Sequence, residues 1–357
     1  MATLASDESA RTGLTLTGFL RRILKSYYLR RAVKAFVSIF LITSFTFFLI
    51  RLMPGNPLDI YIATQMQQGI PRIEAEQMAS SLFQVDLHRP VFLQYIDFLG
   101  RLAHLDLGKS IVSGGTPVIN IIRKFLPWTL FIVTVSIITS FALGISIGTL
   151  MAYRRNSWFD HLFASLSAII SAIPANILAI LLIVFFGVRW HWFDFTRVRG
   201  SLTPGMVPGW RLDFFADALY HAALPIITFV LTTWGGWALS MKSNTVATMG
   251  EDYVTVAAAR GLSDGRIAAA YVGRNAVLPL FTSLALQIGF VVGGSTFIEN
   301  IFVYQGIGQQ LGQAVASRDY PVMQGIFLIL CTSVVFANFA ADLIYSWLDP
   351  RIRIEGR

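Results

Sequence analysis

Few residues in this chain combine the type and the spacing that covalent chemistry needs. Leu107-Gly108-Lys109-Ser110 reads like the end of a phosphate-binding loop, in which glycine backbone, a lysine and a hydroxyl hold a nucleotide. That loop requires a glycine five residues before Gly108, and Ala103 stands there. Gly306-Ile307-Gly308 with Gly312 approximates a dinucleotide fingerprint, but with one residue too many and no strand pattern ahead of it. A turn before the last apolar run explains those glycines better. HExxH and an embedded aspartate pair do not occur. The 5 histidines are scattered, and His161 and His221 sit at the ends of apolar runs, where interfacial packing is the ordinary role. Cys331 is the single cysteine, which excludes an intramolecular disulfide and a cysteine zinc cluster. No apolar run carries Asp, Glu, Lys or Arg at its centre. Carriers driven by an ion gradient hold ionisable groups there, so that mechanism is disfavoured.

The most informative segment is polar rather than reactive. Glu251 to Pro279, EDYVTVAAARGLSDGRIAAAYVGRNAVLP, is Ala-rich and Gly-broken and lies between two long apolar runs. Glu251 and Asp252 place negative charge at a helix start, which suits the macrodipole. Tyr253 to Arg260 reads as a short helix, and Gly261 is placed to end it in the left-handed conformation. Ser263 or Asp264 can cap a second helix running to about Arg274. Pro279 then falls in the first turns of the next apolar run. The pattern fits a helical hairpin that another protein grips. It equally fits an amphipathic connector whose arginines only fix topology.

The elements that must position this segment are spans. Of the 357 residues, 55% are hydrophobic and 13% charged, with a mean hydropathy of +0.61. A soluble domain carries about 25% charged residues. Six runs are long enough to cross a hydrocarbon core, which takes about 20 helical residues: Ala32–Ile50, Phe125–Tyr153, His161–Val188, Ala218–Met241, Asn275–Ile298 and Tyr320–Ala341. None shows the strict alternation of a barrel strand. The expected fold class is an all-α membrane protein with six transmembrane helices.

Lysine and arginine near the span ends set orientation. Arg21, Arg22, Lys25, Arg30 and Arg31, then Arg154 and Arg155, then Lys242, Arg260, Arg266 and Arg274, then Arg351 and Arg353 all fall on one side. That side is expected to be cytoplasmic, with both termini on it. This distribution accounts for the formal charge of +8 without nucleic acid. Residues 1–31 form an N-terminal segment, in which 16–31 place Phe19, Leu20, Ile23, Leu24 and Tyr27 at helical spacing among basic residues. This predicts an interfacial amphipathic helix on membrane lipid. Residues 32–348 form the transmembrane domain, with an outer loop at 51–124 and an inner loop at 242–274. Residues 349–357 form a tail whose last four residues, Ile354-Glu355-Gly356-Arg357, match a common protease site. The outer segment 189–217 is rich in aromatics, as in an interfacial belt. Gly144 with Gly148, and Gly289 with Gly293, form GxxxG pairs that permit close helix approach within the bundle. Pro174 lies midway along the third run and predicts a kink.

Ala257-xxx-Gly261 followed by Leu278-Pro279 resembles the EAA loop of ABC importer permeases. The likeness is closest to the binding-protein-dependent dipeptide/oligopeptide type, through Asp252 to Ser263 and Arg274-Asn275-Ala276-Val277-Leu278-Pro279. Arg51-Leu52-Met53-Pro54-Gly55-Asn56-Pro57, Leu126-Pro127-Trp128-Thr129-Leu130, Arg318-Asp319-Tyr320-Pro321 and Leu348-Asp349-Pro350-Arg351 agree with it. The acidic first position of the loop is absent, since Thr255-Val256-Ala257 stands where the pattern has Glu-Ala-Ala. The resemblance implies a type I ABC importer permease fold in a bacterial or archaeal plasma (inner) membrane. It implies a second homologous permease subunit, two ATPase subunits and an extracytoplasmic solute-binding protein as partners. ATP and Mg would be bound by the ATPases, with no cofactor on this chain and no catalytic residue. Thr255, Ala257, Ala258, Ala259, Arg260, Gly261 and Leu262 would form the coupling contact to an ATPase. The solute would be a peptide or of similar size. The contrasting expectation is an ion-coupled secondary transporter or a channel.

Overall fold

An uncharged run long enough to cross a bilayer can satisfy its own backbone polar groups as an α-helix. The structure, a computed structural model, describes residues 27–53, 57–82, 90–194 and 198–348, and it follows that rule. Helix α1 (Tyr27–Arg51) leads to three shorter helices, α2 (Pro57–Gln67), α3 (Arg72–Leu82) and α4 (Val91–Ala103). Then come α5 (Val118–Tyr153), α6 (Trp158–Ala172), α7 (Ala175–Leu182) with a π-helical extension Ile183–Arg189, and α8 (Leu212–Met249). The short α9 (Asp252–Ala259) follows. A single helical turn, Asp264–Arg266, and a π-helical stretch, Ile267–Gly273, run without a break into α10 (Arg274–Phe302). Helices α11 (Ile307–Ser317) and α12 (Tyr320–Leu348) complete the described chain. Among the described residues the extended pairing is confined to an isolated bridge between Lys109 and Pro117.

By length and composition, α1, α5, α8 and α12 can each cross a membrane, and the bent pair α6–α7 adds a fifth candidate. The remaining expected span, Asn275–Ile298, falls within α10, several of whose side chains lie outside the described residues. The expected amphipathic segment at 16–31 lies largely outside them, as do residues 54–56 of the Met53-Pro54-Gly55-Asn56-Pro57 motif and the tail 349–357.

One expectation changes. The third run is not a kinked helix but a broken one: α6 and the α7 limb meet at 99°. Proline clashes with a helical residue before it, so Ile173 is extended (φ −79, ψ 121) and Pro174 becomes the N-cap of α7. Helix α5 begins at Val118, seven residues before the expected span Phe125–Tyr153.

The main core gathers Ile132 and Val118 of α5, Leu224 of α8, Phe302 of α10, Ile307 of α11 and Ile326 of α12. Gly144 and Gly148 set the α5–α8 seam. A Cβ on Gly144 would lie 2.9 Å from the Trp234 carbonyl, and one on Gly148 would lie 2.8 Å from the Met241 Cβ. On its other side α8 meets α6 at Gly235, where a Cβ would lie 2.8 Å from the Ser167 carbonyl. The packing of Gly289 and Gly293 lies outside the described residues. Outside the bundle, α2 and α3 share a small core of Tyr61, Ile62, Ala75 and Ala79, joined by Ile111.

Candidate functional site

The inner segment is built by its caps. Helix α8 ends at Gly250, and Glu251, extended at φ −76 and ψ 144, starts α9 by accepting from the Val254 N–H at 3.0 Å. The other end closes as a Schellman motif: Gly261 N–H donates to the Ala258 carbonyl at 2.9 Å, and Leu262 N–H donates to the Ala257 carbonyl at 3.3 Å. Gly261 has φ +73, with open space where a Cβ would stand. Its glycine is therefore required by the dihedral angle rather than by crowding. Ser263 caps the following turn through its backbone carbonyl, which accepts from Arg266 at 2.9 Å and Ile267 at 3.0 Å.

Helix α9 has two faces. Val254 and Ala257, three residues apart, are buried against the rest of the chain, with Ala257 only 2% exposed. Thr255, Ala258, Ala259, Arg260 and Gly261 are exposed, and Leu262 is half-buried. Ala257 therefore belongs to the seat of the helix rather than to its free face. Leu262 occupies the position after the Schellman glycine, where an apolar residue folds back on the last turn. The sequence reading missed Tyr253, 40% exposed, and Val256, 56% exposed. Their spacing of three, with Arg260 a further turn along, is the signal that marks them as one stripe.

Both legs of the segment are fastened. Asn244 of α8 donates to the Ala276 carbonyl of α10 at 3.2 Å. Trp237, Met241, Ala276 and Leu280 pack together with Phe141 of α5. Lys242 pairs with the buried Asp160 of α6 at 2.5 Å, and the Asn156 N–H donates to the same carboxylate at 3.1 Å. Lys242 is thus a bracket between helices as well as a topological charge.

The opposite end of the bundle holds two buried carboxylates, Glu299 near the end of α10 and Asp319 just before α12, both outside the expected spans Asn275–Ile298 and Tyr320–Ala341. Glu299, inside α10, is fully buried. It accepts from Thr129 Oγ1 at 2.7 Å and from the Gly308 and Gln309 N–H groups at 2.7 and 3.0 Å. Thr129 in turn accepts from the Ile307 N–H at 2.8 Å. Glu299 is a distant cap on the N-terminus of α11, where N–H groups and the dipole favour an anion. The glycines follow from it. A Cβ on Gly306 would lie 2.5 Å from Thr129 Oγ1, one on Gly308 2.5 Å from the Thr296 Cα, and one on Gly312 2.5 Å from Asn300 Oδ1. What resembled a dinucleotide fingerprint, read as a turn, is a helix pressed onto α10.

The phosphate-loop look-alike resolves similarly. Ser110 Oγ donates to Asp319 at 2.5 Å, and the Ile111 and Val112 N–H groups donate at 3.2 and 3.3 Å. Burial pushes the Asp319 carboxyl above its ordinary value, against the pull of these donors. The hydroxyl and backbone of this loop hold the protein's own carboxylate. Arg51 lies 4.9 Å from the Tyr320 ring centroid and donates to Gln94 at 3.0 Å. These polar side-chain contacts between elements thus gather at two ends, one around Asp160, Lys242 and Ala276, the other around Arg51, Thr129, Glu299 and Asp319. Among the described residues no cluster of three or more His, Cys, Asp or Glu could hold a metal ion.

Residues 144–354 match the family model described as "Binding-protein-dependent transport system inner membrane component". The chain is 30% identical over 341 residues to the di/tripeptide transport system permease protein DppB of Pseudomonas aeruginosa (strain UCBPP-PA14), covering 92% of this chain and 98% of that protein. It is 31% identical over 327 residues to the oligopeptide transport system permease protein AppB of Bacillus subtilis (strain 168), covering 92% and 99% respectively.

Proposed function

Because the chain belongs to the family of binding-protein-dependent transport system inner membrane components, we propose that it is the permease subunit of an ATP-driven importer for peptides or similar-sized solutes. The chain is an all-α, multi-pass membrane permease of the type I ABC importer fold. It forms half of a translocation pathway with a second, homologous permease. A solute-binding protein docks on the outer segment that contains α2 and α3, and two ATPase subunits, which bind ATP and Mg, sit below. Both termini lie on the ATPase side. The peptide assignment is supported by the names of the two relatives.

One observation supports the coupling role most directly. Helix α9 is capped at both ends, seated by Val254 and Ala257, and leaves Tyr253, Val256 and Arg260 outward. A connector has no need of an exposed apolar stripe on a rigid helix. In an ATPase groove, Val256 and Tyr253 supply apolar contact, Ala258 and Ala259 permit close approach, and Arg260 meets a carboxylate. Closing of the ATPase pair then moves α9, and rigid-body motion of the bundle opens the pathway. The buried Glu299 does not favour an ion-coupled carrier, because its oxygens are occupied by Thr129, Gly308 and Gln309.

Purification with the cognate subunits tests this reading. ATPase subunits are expected to co-purify with the chain, and liposomes are expected to take up peptide only when those subunits and ATP are present. Uptake by the isolated chain without ATPases overturns the proposal.

A further inference from the structure

Helix α4 is amphipathic in the wrong direction for a helix that belongs only to the protein. At about 100° per residue, Phe98, Val91, Tyr95, Phe92 and Ile96 fall on one broad apolar arc, while Gln94, Asp97 and Arg101 fall on the other. The chain uses only one edge of that arc. Phe98 stacks on Phe47 of α1 with centroids 5.1 Å apart, and Tyr95 lies 5.3 Å from Phe47. The remainder of the arc is bare: Phe92 is 65% exposed and Ile96 is 49% exposed, one helical turn apart.

The position of α4 along α1 identifies what covers this face. Tyr95 Oη lies 2.6 Å from Ser44 Oγ, and Gln94 accepts from Arg51. Ser44 is seven residues before the end of α1, about 10 Å along its axis at 1.5 Å per residue. Helix α4 therefore lies beside the last two turns of a membrane-spanning helix, not beyond it. Phe48, exposed on α1, sits 5.0 Å from the Tyr95 ring, so the bare surface of α1 continues onto α4 without a polar gap. We propose that α4 is an interfacial helix, with Phe92 and Ile96 seated in lipid at the headgroup–acyl boundary and Asp97 and Arg101 turned toward water. Helices of this composition bury their apolar face about 5–10 Å into that boundary, which agrees with the depth set by Ser44. The inference rests on α1 crossing the bilayer, and it removes α4 from the surface available to a docking protein.

Nitroxide labels read the environment directly. In a Cys331→Ser background, which leaves no other cysteine, Phe92→Cys, Ile96→Cys, Phe40→Cys and Gln68→Cys are labelled in the assembled transporter in liposomes. Collision with oxygen, which partitions into lipid, is compared with collision with a water-soluble nickel chelate. The labels at 92 and 96 are expected to favour oxygen severalfold over the label at 68, approaching the label at 40 on the exposed face of α1. Chelate-accessible labels at 92 and 96 beside a lipid-exposed label at 40 overturn the proposal. Labels at 92 and 96 shielded from both reagents also overturn it, in favour of a protein partner. A water-exposed label at 40 overturns the membrane-spanning reading of α1 with it.

Discussion

Gly261 is fixed by a dihedral angle and nothing else, which makes its substitutions separable. An L-residue with a branched Cβ at φ +73 costs about 1–2 kcal/mol, and Asn, which tolerates that region, costs less. Gly261→Val is expected to insert and assemble but to lose much of its solute-stimulated ATPase activity, whereas Gly261→Asn retains most of it. Equal activity in the two variants would separate coupling from the left-handed cap. Glu299 makes the opposite case, a residue defined by its partners. Glu299→Ala leaves the Gly308 and Gln309 N–H groups and the Thr129 hydroxyl without their acceptor in a buried site. Such unsatisfied donors cost about 1–3 kcal/mol. The variant is expected to unfold at a lower temperature in detergent, with Glu299→Gln, which keeps an acceptor oxygen, between it and the native chain. A native-like melting temperature for Glu299→Ala would show that water replaces the cap.

Among elements, the α5–α8 seam leaves no room for side chains. At Gly148 a Cβ would meet the Met241 Cβ at 2.8 Å and the Ala238 carbonyl carbon at 3.0 Å. Gly148→Val forces the helices apart and is expected to destabilise by about 1–3 kcal/mol. Gly265→Ala, facing open space, is expected to change little in the same thermal assay. A comparable drop in both would point away from helix approach as the cause. The seam also shows where sequence is readable. Gly144 and Gly148 declare a close approach by their spacing of four, but not its partner, since Trp234, Ala238 and Met241 are far away in the chain. Gly235 has no such spacing and passed unnoticed. Pro174 declares a break through its own backbone, while the 99° angle depends on packing against α8. The caps of α9 were legible because Glu251, Gly261 and Ser263 act on neighbours in sequence. Gly306, Gly308 and Gly312 were misread because Glu299 and Thr129, which explain them, act across space. The seating of Ala257 against the rest of the chain was not legible, because its run of three alanines has no polarity from which to read a direction.

For the whole molecule, the two ends of the bundle are separate places with separate partners under the proposed function. Val256→Glu puts a charge on the outward stripe of α9 without touching Val254 or Ala257. It is expected to abolish co-purification of the ATPases while leaving the paired permease in place, as read by subunit stoichiometry. Loss of both subunits would indicate misfolding instead. At the other end, removing residues within α2 and α3 is expected to weaken binding-protein docking and spare ATPase assembly, because their small core stands apart from the bundle.

Helix α8 has 38 residues and is about 57 Å long at 1.5 Å per residue, nearly twice the hydrocarbon thickness of about 30 Å. Under the proposed function it acts as a lever with its fulcrum in the membrane and α9 at the tip of one arm. A tilt of about 10° around its midpoint sweeps the tip through about 5 Å, close to the pitch of one helical turn. The same tilt barely displaces the side chains at the fulcrum. Under the proposed function, work done over a long stroke at α9 would arrive in the middle of the bundle as a short stroke at greater force, which is what prising apart close-packed helices requires.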